Sequence, residues 1–567
     1  MGGEKHLKFV RASVGWIWFA AVALFFLCLK AYSLHWQVGD ENIYLYMAWA
    51  FRDHGALPYR DYFFAHPPLH LLPGIPVFAL LGFTPATARL IPAAATLLGA
   101  LFLHLAALRH GRLGAVVSVF LYLTAFSLLR ASTHWTGINL TVMWCCAGLW
   151  AVLGGRPLAA GICFALGVGT GNYLLPGAVV VAARLAFAGK NQLKRYLYGF
   201  VPVWLAVQLL GLVLGGSGYV ESVYLYHMRK PAAAGMAASM MLRVFCDNLA
   251  LFLCGLLSPL AVLLARTNPP AAKEGTAERA NLMTRLDSWF SGREGLARFG
   301  VVWAAGYLLF IAALPRVFPF YLLLVFPGLA LASAAGVQVL WIRIREWKFR
   351  LPAGVERKAA LKVAVLIILA VSIHQTRPLW QRALLPRYVR RSDVPMKWSD
   401  APLPGWLNGL FKALWWHDVA RAYTDYGTVT ELLFHESRYF EKAEELGYWI
   451  WRNTSPGETV FGDSSVTGLL AILSGRTIQS DFVDTNTMRF RSGITPAARA
   501  IEKIDAPSLK IVVVSAGSRR GRRSPRLGKF ASLPEFRRWL GRKFHIAHHV
   551  RDRTKGLFLL FERNGNP

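Results

Sequence analysis

The chain reads as a polytopic α-helical membrane protein with about eleven transmembrane helices, followed by a soluble α/β domain at its C-terminus. Three observations carry that reading. The 567 residues are 55% hydrophobic and only 17% charged, against about 25% charged in an ordinary soluble chain. Apolar runs of roughly 18–22 residues, the length that crosses a bilayer as a helix, fill the first two thirds. The basic residues lie between those runs. Lys plus Arg number 63 against 31 Asp plus Glu, a net charge of +32, and in this placement the excess orients a membrane protein. No nucleic-acid partner is expected from it.

The first apolar run, Ser13–Leu34, follows the short basic segment MGGEKHLKFVR. It is long for the core of a signal peptide and has no A-x-A before His35, so it reads as an uncleaved first helix. Further spans are expected at 88–108, 114–131, 138–153, 157–170, 172–188, 197–215, 243–265, 300–314, 317–340 and 360–376. The spans at 157–170 and 172–188 are short and meet at Gly169-Thr170-Gly171-Asn172, as a broken pair would.

Loop charge fixes the orientation. Arg109 and Arg112, then Arg156, then Arg184, Lys190, Lys194 and Arg195, fall in alternate loops, as do 266–299 and Arg343–Lys362. A cytoplasmic N-terminus makes all of these cytoplasmic. Loops 35–87, 132–137 and 217–242 and the tail after 376 then face the exoplasm. The transmembrane region is accordingly 1–376 and the soluble domain 377–567. The six cysteines, Cys28, Cys145, Cys146, Cys163, Cys246 and Cys254, lie in or beside apolar runs. The exported tail has no disulfide framework to lean on.

In the tail, 400–450 reads as mostly helical. Thr459-Val460-Phe461 predicts a strand, Val466–Leu473 a helix closed by Gly475, Lys510–Val514 a strand, Leu533–Phe544 an amphipathic helix and Leu557–Phe561 a buried strand. The run Arg519-Arg520-Gly521-Arg522-Arg523 reads as a solvated basic loop, or as a contact for anionic headgroups or phosphorylated glycan.

The chemistry points to the first exoplasmic loop, 35–87. The spans are nearly free of ionisable residues. His104 is the main exception and reads as a packed helix residue, while Arg130, Arg243, Asp247 and His374 lie near exoplasmic ends. An ion-coupled transporter would place carboxylates nearer the midplane, so a lipid or polysaccharide transporter is the alternative rather than the reading. Asp40-Glu41 follows the first span at the polar interface. A carboxylate there can deprotonate a hydroxyl nucleophile, or simply open a helix. Ile43–Arg52, with Tyr44, Tyr46, Trp49 and Phe51, suits an amphipathic helix in the interface. His66-Pro67-Pro68-Leu69 follows, then an apolar stretch, 69–82, which Pro73 and Pro76 break so that it lies along the membrane. Ala88-Arg89-Leu90-Ile91-Pro92 opens the next span.

This order of D-E, a juxtamembrane helix, H-P-P-L and A-R-L-x-P resembles the GT-C superfamily of membrane glycosyltransferases. It is most similar to the branch holding protein O-mannosyltransferases, aminoarabinose transferases and bacterial lipopolysaccharide-type transferases. Val223–Pro231 (VYLYHMRKP) resembles the loop after their seventh helix, and Leu314–Tyr321 (LPRVFPFY) their P-R-Y/F segment. Phe461-Gly462-Asp463 with Asp484-Thr485-Asn486 resembles their soluble domain.

The resemblance implies a reaction in which a sugar leaves a polyprenyl-phosphate carrier for a lipid, glycan or protein acceptor on the exoplasmic face. A bacterial inner membrane is the expected setting. It makes Asp40 the catalytic carboxylate, with Glu41 as its neighbour. The departing phosphate needs cationic stabilisation, for which Arg89, His227, Arg229, Lys230 and Arg316 are candidates and Arg316 the first choice. Many aminoarabinose transferases carry Lys before the Pro-Pro. Here that position is His66, which can meet a phosphate as a cation or as a neutral hydrogen-bond donor. The MIR-type insertion of eukaryotic protein O-mannosyltransferases has no counterpart. No cofactor is predicted. No His/Cys/Asp cluster has zinc spacing, and a divalent metal stays open.

Overall fold

The computed structural model describes residues 2–31, 34–132, 134–231, 236–264, 292–314, 316–346, 440–517, 526–552 and 556–565. Four of its helices are long and apolar enough to cross a membrane: Pro85–Leu108, Lys190–Gly215, Glu294–Ala313 and Pro319–Ile342, the last opening as a 3-10 turn. Shorter apolar helices run over Gly15–Cys28, Pro68–Leu81, Arg112–Leu123, Ile138–Leu153, Pro157–Val168, Asn172–Ala188 and Leu249–Val262. The span expected at 360–376, most of the helical segment expected at 400–450 and the basic run 519–523 lie outside the described residues.

Local chemistry accounts for several boundaries. Pro85–Leu108 starts at Thr84, whose side chain accepts from the Thr87 N–H while Thr87 answers the Thr84 N–H, with Pro85 in the first turn. The span expected at 243–265 is three pieces, Met236–Asp247, Leu249–Leu256 and Ser258–Leu264. At the first break the buried Asn248 amide donates to the Ser127 hydroxyl and the Val244 carbonyl. Helices Pro157–Val168 and Lys190–Gly215 pack backbone to backbone. A Cβ on Gly161 would sit 2.1 Å from the Tyr196 carbonyl oxygen, and one on Gly199 would sit 2.2 Å from that of Leu158. Small residues permit such contact between spans. The outer face of Lys190–Gly215 exposes Leu205, Leu209 and Val213, as a lipid-facing side does. His104 packs against the rings of Trp16 and Phe19, in keeping with its reading as a packed residue.

The stretch 69–82 forms a 3-10 turn, Pro68–His70, and a short helix, Gly74–Leu81. Eight residues rise about 12 Å, too little to span a bilayer. Leu80 and Leu81 point outward. Helix Glu41–His54 departs from its expected half-exposed character, because Glu41 through Ala50 are all buried. The soluble domain covers its outer face. Gly468 of helix Thr467–Ser474 abuts the Asn42 carbonyl, where a Cβ would meet the oxygen at 2.2 Å, and the Tyr46 hydroxyl accepts the Ile478 N–H.

The C-terminal region carries a six-stranded sheet of β1 (Thr459–Gly462), β2 (Thr477–Ile478), β3 (Leu509–Gly517), β4 (Arg526–Leu527), β5 (Phe544–Asp552) and β6 (Gly556–Arg563). Its order is β2-β1-β3-β6-β5, with β4 beside β3. β1 pairs in parallel with β2 and β3, and the remaining pairs are antiparallel. Gly475 closes helix Thr467–Ser474 at φ +63°, the left-handed cap that favours glycine. The expected strands and both expected helices of this region are present. β5 was not expected, since the helix before it was read through to Phe544. It is an edge strand that buries only Phe544, Val550 and Asp552 among polar neighbours, so it lacks the alternation that marks a half-buried strand.

Candidate active site

The loop 35–87, the 217–231 segment, the start of helix Pro319–Ile342 and the C-terminal sheet region meet around a cavity of ≈ 140 Å³. Asp40, His66, His70, His227, Lys230 and Asp484 bring its ionisable groups. Tyr44, Tyr173, Tyr226 and Tyr321 supply much of the remaining wall.

Asp40 sits just before helix Glu41–His54 in helical backbone geometry, and its carboxylate makes no capping hydrogen bond there. It is exposed and faces the cavity. Its neighbours are pinned. The Gly39 N–H donates to the Ser465 carbonyl of the soluble domain at 3.0 Å, and the Asn42 amide donates to the carbonyls of Gln37 and Ser465. The Asp40 carboxylate, without a hydrogen bond among the described residues, is thus held between fixed points.

Glu41 lies elsewhere. Its oxygens accept from Arg89 Nη1 at 2.5 Å and Nη2 at 2.7 Å, and from the Trp135 N–H at 3.3 Å. Arg89 also donates to the His35 carbonyl at 3.1 Å. Both side chains are almost wholly buried, and neither lines the cavity. Two candidates expected to act on substrate are therefore engaged with each other. A helix-start acid and a span-opening Arg read separately in the sequence give no sign that they form one fork-to-fork pair.

Three other candidates, His66, His227 and Lys230, come together on the cavity wall. His227 Nε2 lies 2.8 Å from the Ala65 carbonyl, which only accepts, so this nitrogen carries the proton. Nδ1 of the neutral ring can then accept from Lys230 Nζ at 3.0 Å. Burial, with the Lys230 charge second, pushes the imidazole down to about 4. Burial lowers Lys230 to about 8; Asp484 opposes that shift and Arg316 adds to it. His66 Nε2 shares a 2.9 Å hydrogen bond with the Tyr44 hydroxyl. Its pKa is driven well below the usual range by burial first and then by His70, His227 and Lys230, so it meets the cavity as a neutral ring. Arg316 stands behind the wall, its Nη1 3.1 Å from Met488 Sδ and its guanidinium beside the Phe318 ring. Arg229 is exposed outside the cavity.

Sequence reasoning passed over two cavity residues. Burial pushes His70 down to about 3, which makes it another neutral imidazole. Asp484 is a second carboxylate, raised by burial first, with the charge of Asp40 adding to it. The motif Asp484-Thr485-Asn486 was visible, but nothing local places it against a loop more than 400 residues earlier. Among the described residues no group of three or more His, Cys, Asp or Glu side chains could hold a metal ion.

No family model matches the chain, and no curated protein matches it in sequence. Its fold is shared with solved structures. It is similar to crystal structures of the aminoarabinose transferase ArnT from Cupriavidus metallidurans. With the apo form it shares 16% identity and a TM-score of 0.58, over 97% of this chain and 98% of that one. With the form bound to undecaprenyl phosphate the values are 16% and 0.56, over 96% and 98%.

Proposed function

We propose that the protein is a membrane glycosyltransferase that takes a sugar from a polyprenyl-phosphate carrier on the exoplasmic face. One observation carries the reading: an unpaired carboxylate, Asp40, and a cation, Lys230, face one cavity between the first loop and the soluble domain. Asp40 accepts the proton of the acceptor hydroxyl. The freed oxygen bonds to the anomeric carbon, the bond from that carbon to the phosphate oxygen breaks, and the carrier phosphate leaves with the electron pair. Lys230, supported by Arg316, offsets the charge that grows on it. The ArnT structure with undecaprenyl phosphate makes that carrier the first to test. The acceptor is a lipid, glycan or protein, and the setting a bacterial inner membrane with about eleven spans. Lipid and glycan profiles of a deletion strain against its parent test the whole reading. Profiles identical in every lipid and glycan class would overturn it.

The donor phosphate gives a sharper measurement. Removing a hydrogen bond to a charged group costs about 1.5–3 kcal/mol, roughly 10- to 150-fold. Lys230→Ala and Arg316→Ala should each weaken undecaprenyl phosphate binding on this scale, and Arg316→Lys less than Arg316→Ala. Wild-type affinity should also fall as pH rises through about 8, because Lys230 loses its charge there. Lys230→Arg keeps its charge and should flatten that profile. Unchanged affinity in both alanine variants would leave these residues as interfacial anchors.

Orientation is tested at Tyr448, an exposed residue of helix Ala443–Arg452. In a cysteine-free background, Tyr448→Cys in intact cells should react with a membrane-impermeant maleimide. Labelling only after permeabilisation would place the soluble domain in the cytoplasm.

A further inference from the structure

We infer that Asp484 of the soluble domain, working with His70 of the first loop, holds the donor's sugar and sets which sugar the site accepts. The inference rests on the glycosyl-transfer reading and extends it to a part of the chain without an assigned role. Asp484 Oδ1 accepts the Asn486 N–H at 2.9 Å, which fixes the turn and leaves Oδ2 without a protein hydrogen bond among the described residues. The group is enclosed by protein, and what surface it keeps faces the cavity. A half-buried carboxylate near a second one is costly unless something hydrogen-bonds to it. Lys230 lies close enough to favour the charged form, without a salt bridge to it among the described residues.

The first loop brings a second group to the cavity. His70 is 1% exposed and lines the same cavity, and its Nε2 has no hydrogen-bond partner among the described residues. A carboxylate oxygen that accepts and a neutral ring nitrogen that donates or accepts are suited to adjacent sugar hydroxyls. They are poorly suited to phosphate, which Asp484 would repel.

The mounting of Asp484 is rigid. The Thr485 hydroxyl donates to the Gly462 carbonyl at 2.7 Å and accepts the Ser464 N–H at 2.9 Å, tying the turn to the end of β1. Four residues on, the buried Arg489 pairs with Asp481 and lies between the rings of Phe63 and Phe482, 4.6 and 4.4 Å from their centroids. Phe63 belongs to the first loop. The soluble domain is thereby locked onto the loop that carries Asp40 and His70, with Asp484 facing inward. A site whose polar groups bind particular hydroxyls rejects sugars that lack them or point them elsewhere.

The test compares bare undecaprenyl phosphate with undecaprenyl phosphate carrying each of several epimeric hexoses and a pentose, bound to the full-length protein in nanodiscs. Asp484→Asn keeps the Oδ1 acceptor of the turn and removes the charge. It should not weaken the bare carrier and should weaken the preferred sugar-bearing carrier about 10- to 100-fold, narrowing the spread among epimers. Should that variant fail to fold, His70→Gln, judged on the same spread, decides. Unchanged affinity and spread for the sugar-bearing carriers overturns the inference, as does equal weakening of bare and sugar-bearing carriers. If Asp484→Asn is silent while Asp40→Asn abolishes turnover, only this inference fails. A wild-type protein that binds none of the carriers removes the reading beneath it.

Discussion

Asp40→Asn should keep the fold, bind undecaprenyl phosphate with wild-type affinity and lose about 10²–10⁴-fold of turnover, the usual contribution of a positioned general base. The amide is nearly isosteric but cannot take a proton from an attacking hydroxyl. The fold should not notice, because the Asp40 carboxylate makes no capping hydrogen bond in the helix it precedes, and the segment is held by Gly39 and Asn42 on Ser465. Carrier binding should not fall either, since removing a negative charge from a cavity that receives a phosphate cannot weaken it electrostatically. The loss therefore belongs in kcat, where an interaction used in the transition state appears. Consumption of sugar-bearing carrier by purified protein, read beside its melting temperature, checks this. Wild-type turnover in a folded Asp40→Asn protein would remove Asp40 from the chemistry.

The legible part of this molecule was the part written in local signals. Apolar runs and the Asp40-Glu41 position after the first apolar helix needed only composition and spacing. So did helix Thr467–Ser474, with its apolar run and Gly475 cap. What stayed hidden depends on contacts between distant segments. Helix Glu41–His54 looks half-exposed because its tyrosines and tryptophan suit an interface, and the docked soluble domain helps to bury Glu41 through Ala50. Asp484 enters the cavity through a lock built from Phe63, Asp481, Phe482 and Arg489, over 400 residues apart in part. Arg316 reads as the leading phosphate ligand because it is the arginine of a proline- and aromatic-rich segment, whereas the cation on the cavity wall is Lys230. The same blindness affected Glu41 and Arg89, whose charges suggest substrate contact until the two are found bound to each other.

That ion pair supports the second large effect. Glu41→Gln and Arg89→Met should each cost about 3–5 kcal/mol of stability, because either change strands a buried polar or charged partner. In Glu41→Gln, Arg89 would keep the His35 carbonyl and one amide oxygen, but would lose the carboxylate charge and meet an NH2 in place of the second oxygen. In Arg89→Met, the Glu41 carboxylate would keep only the 3.3 Å N–H of Trp135. Replacing both at once, as Glu41→Leu with Arg89→Met, removes the uncompensated charge, and apolar replacements of buried pairs are often neutral or stabilising. The melting temperature should therefore fall in each single variant and recover in the double. Turnover should follow folding rather than chemistry: reduced in the single variants in proportion to folded protein, and substantially regained in the double, since Gly39 and Asn42 still fix Asp40. A Glu41→Gln protein that melts like the wild type yet turns over nothing would show that Glu41 acts on the substrate and that the pair with Arg89 is incidental.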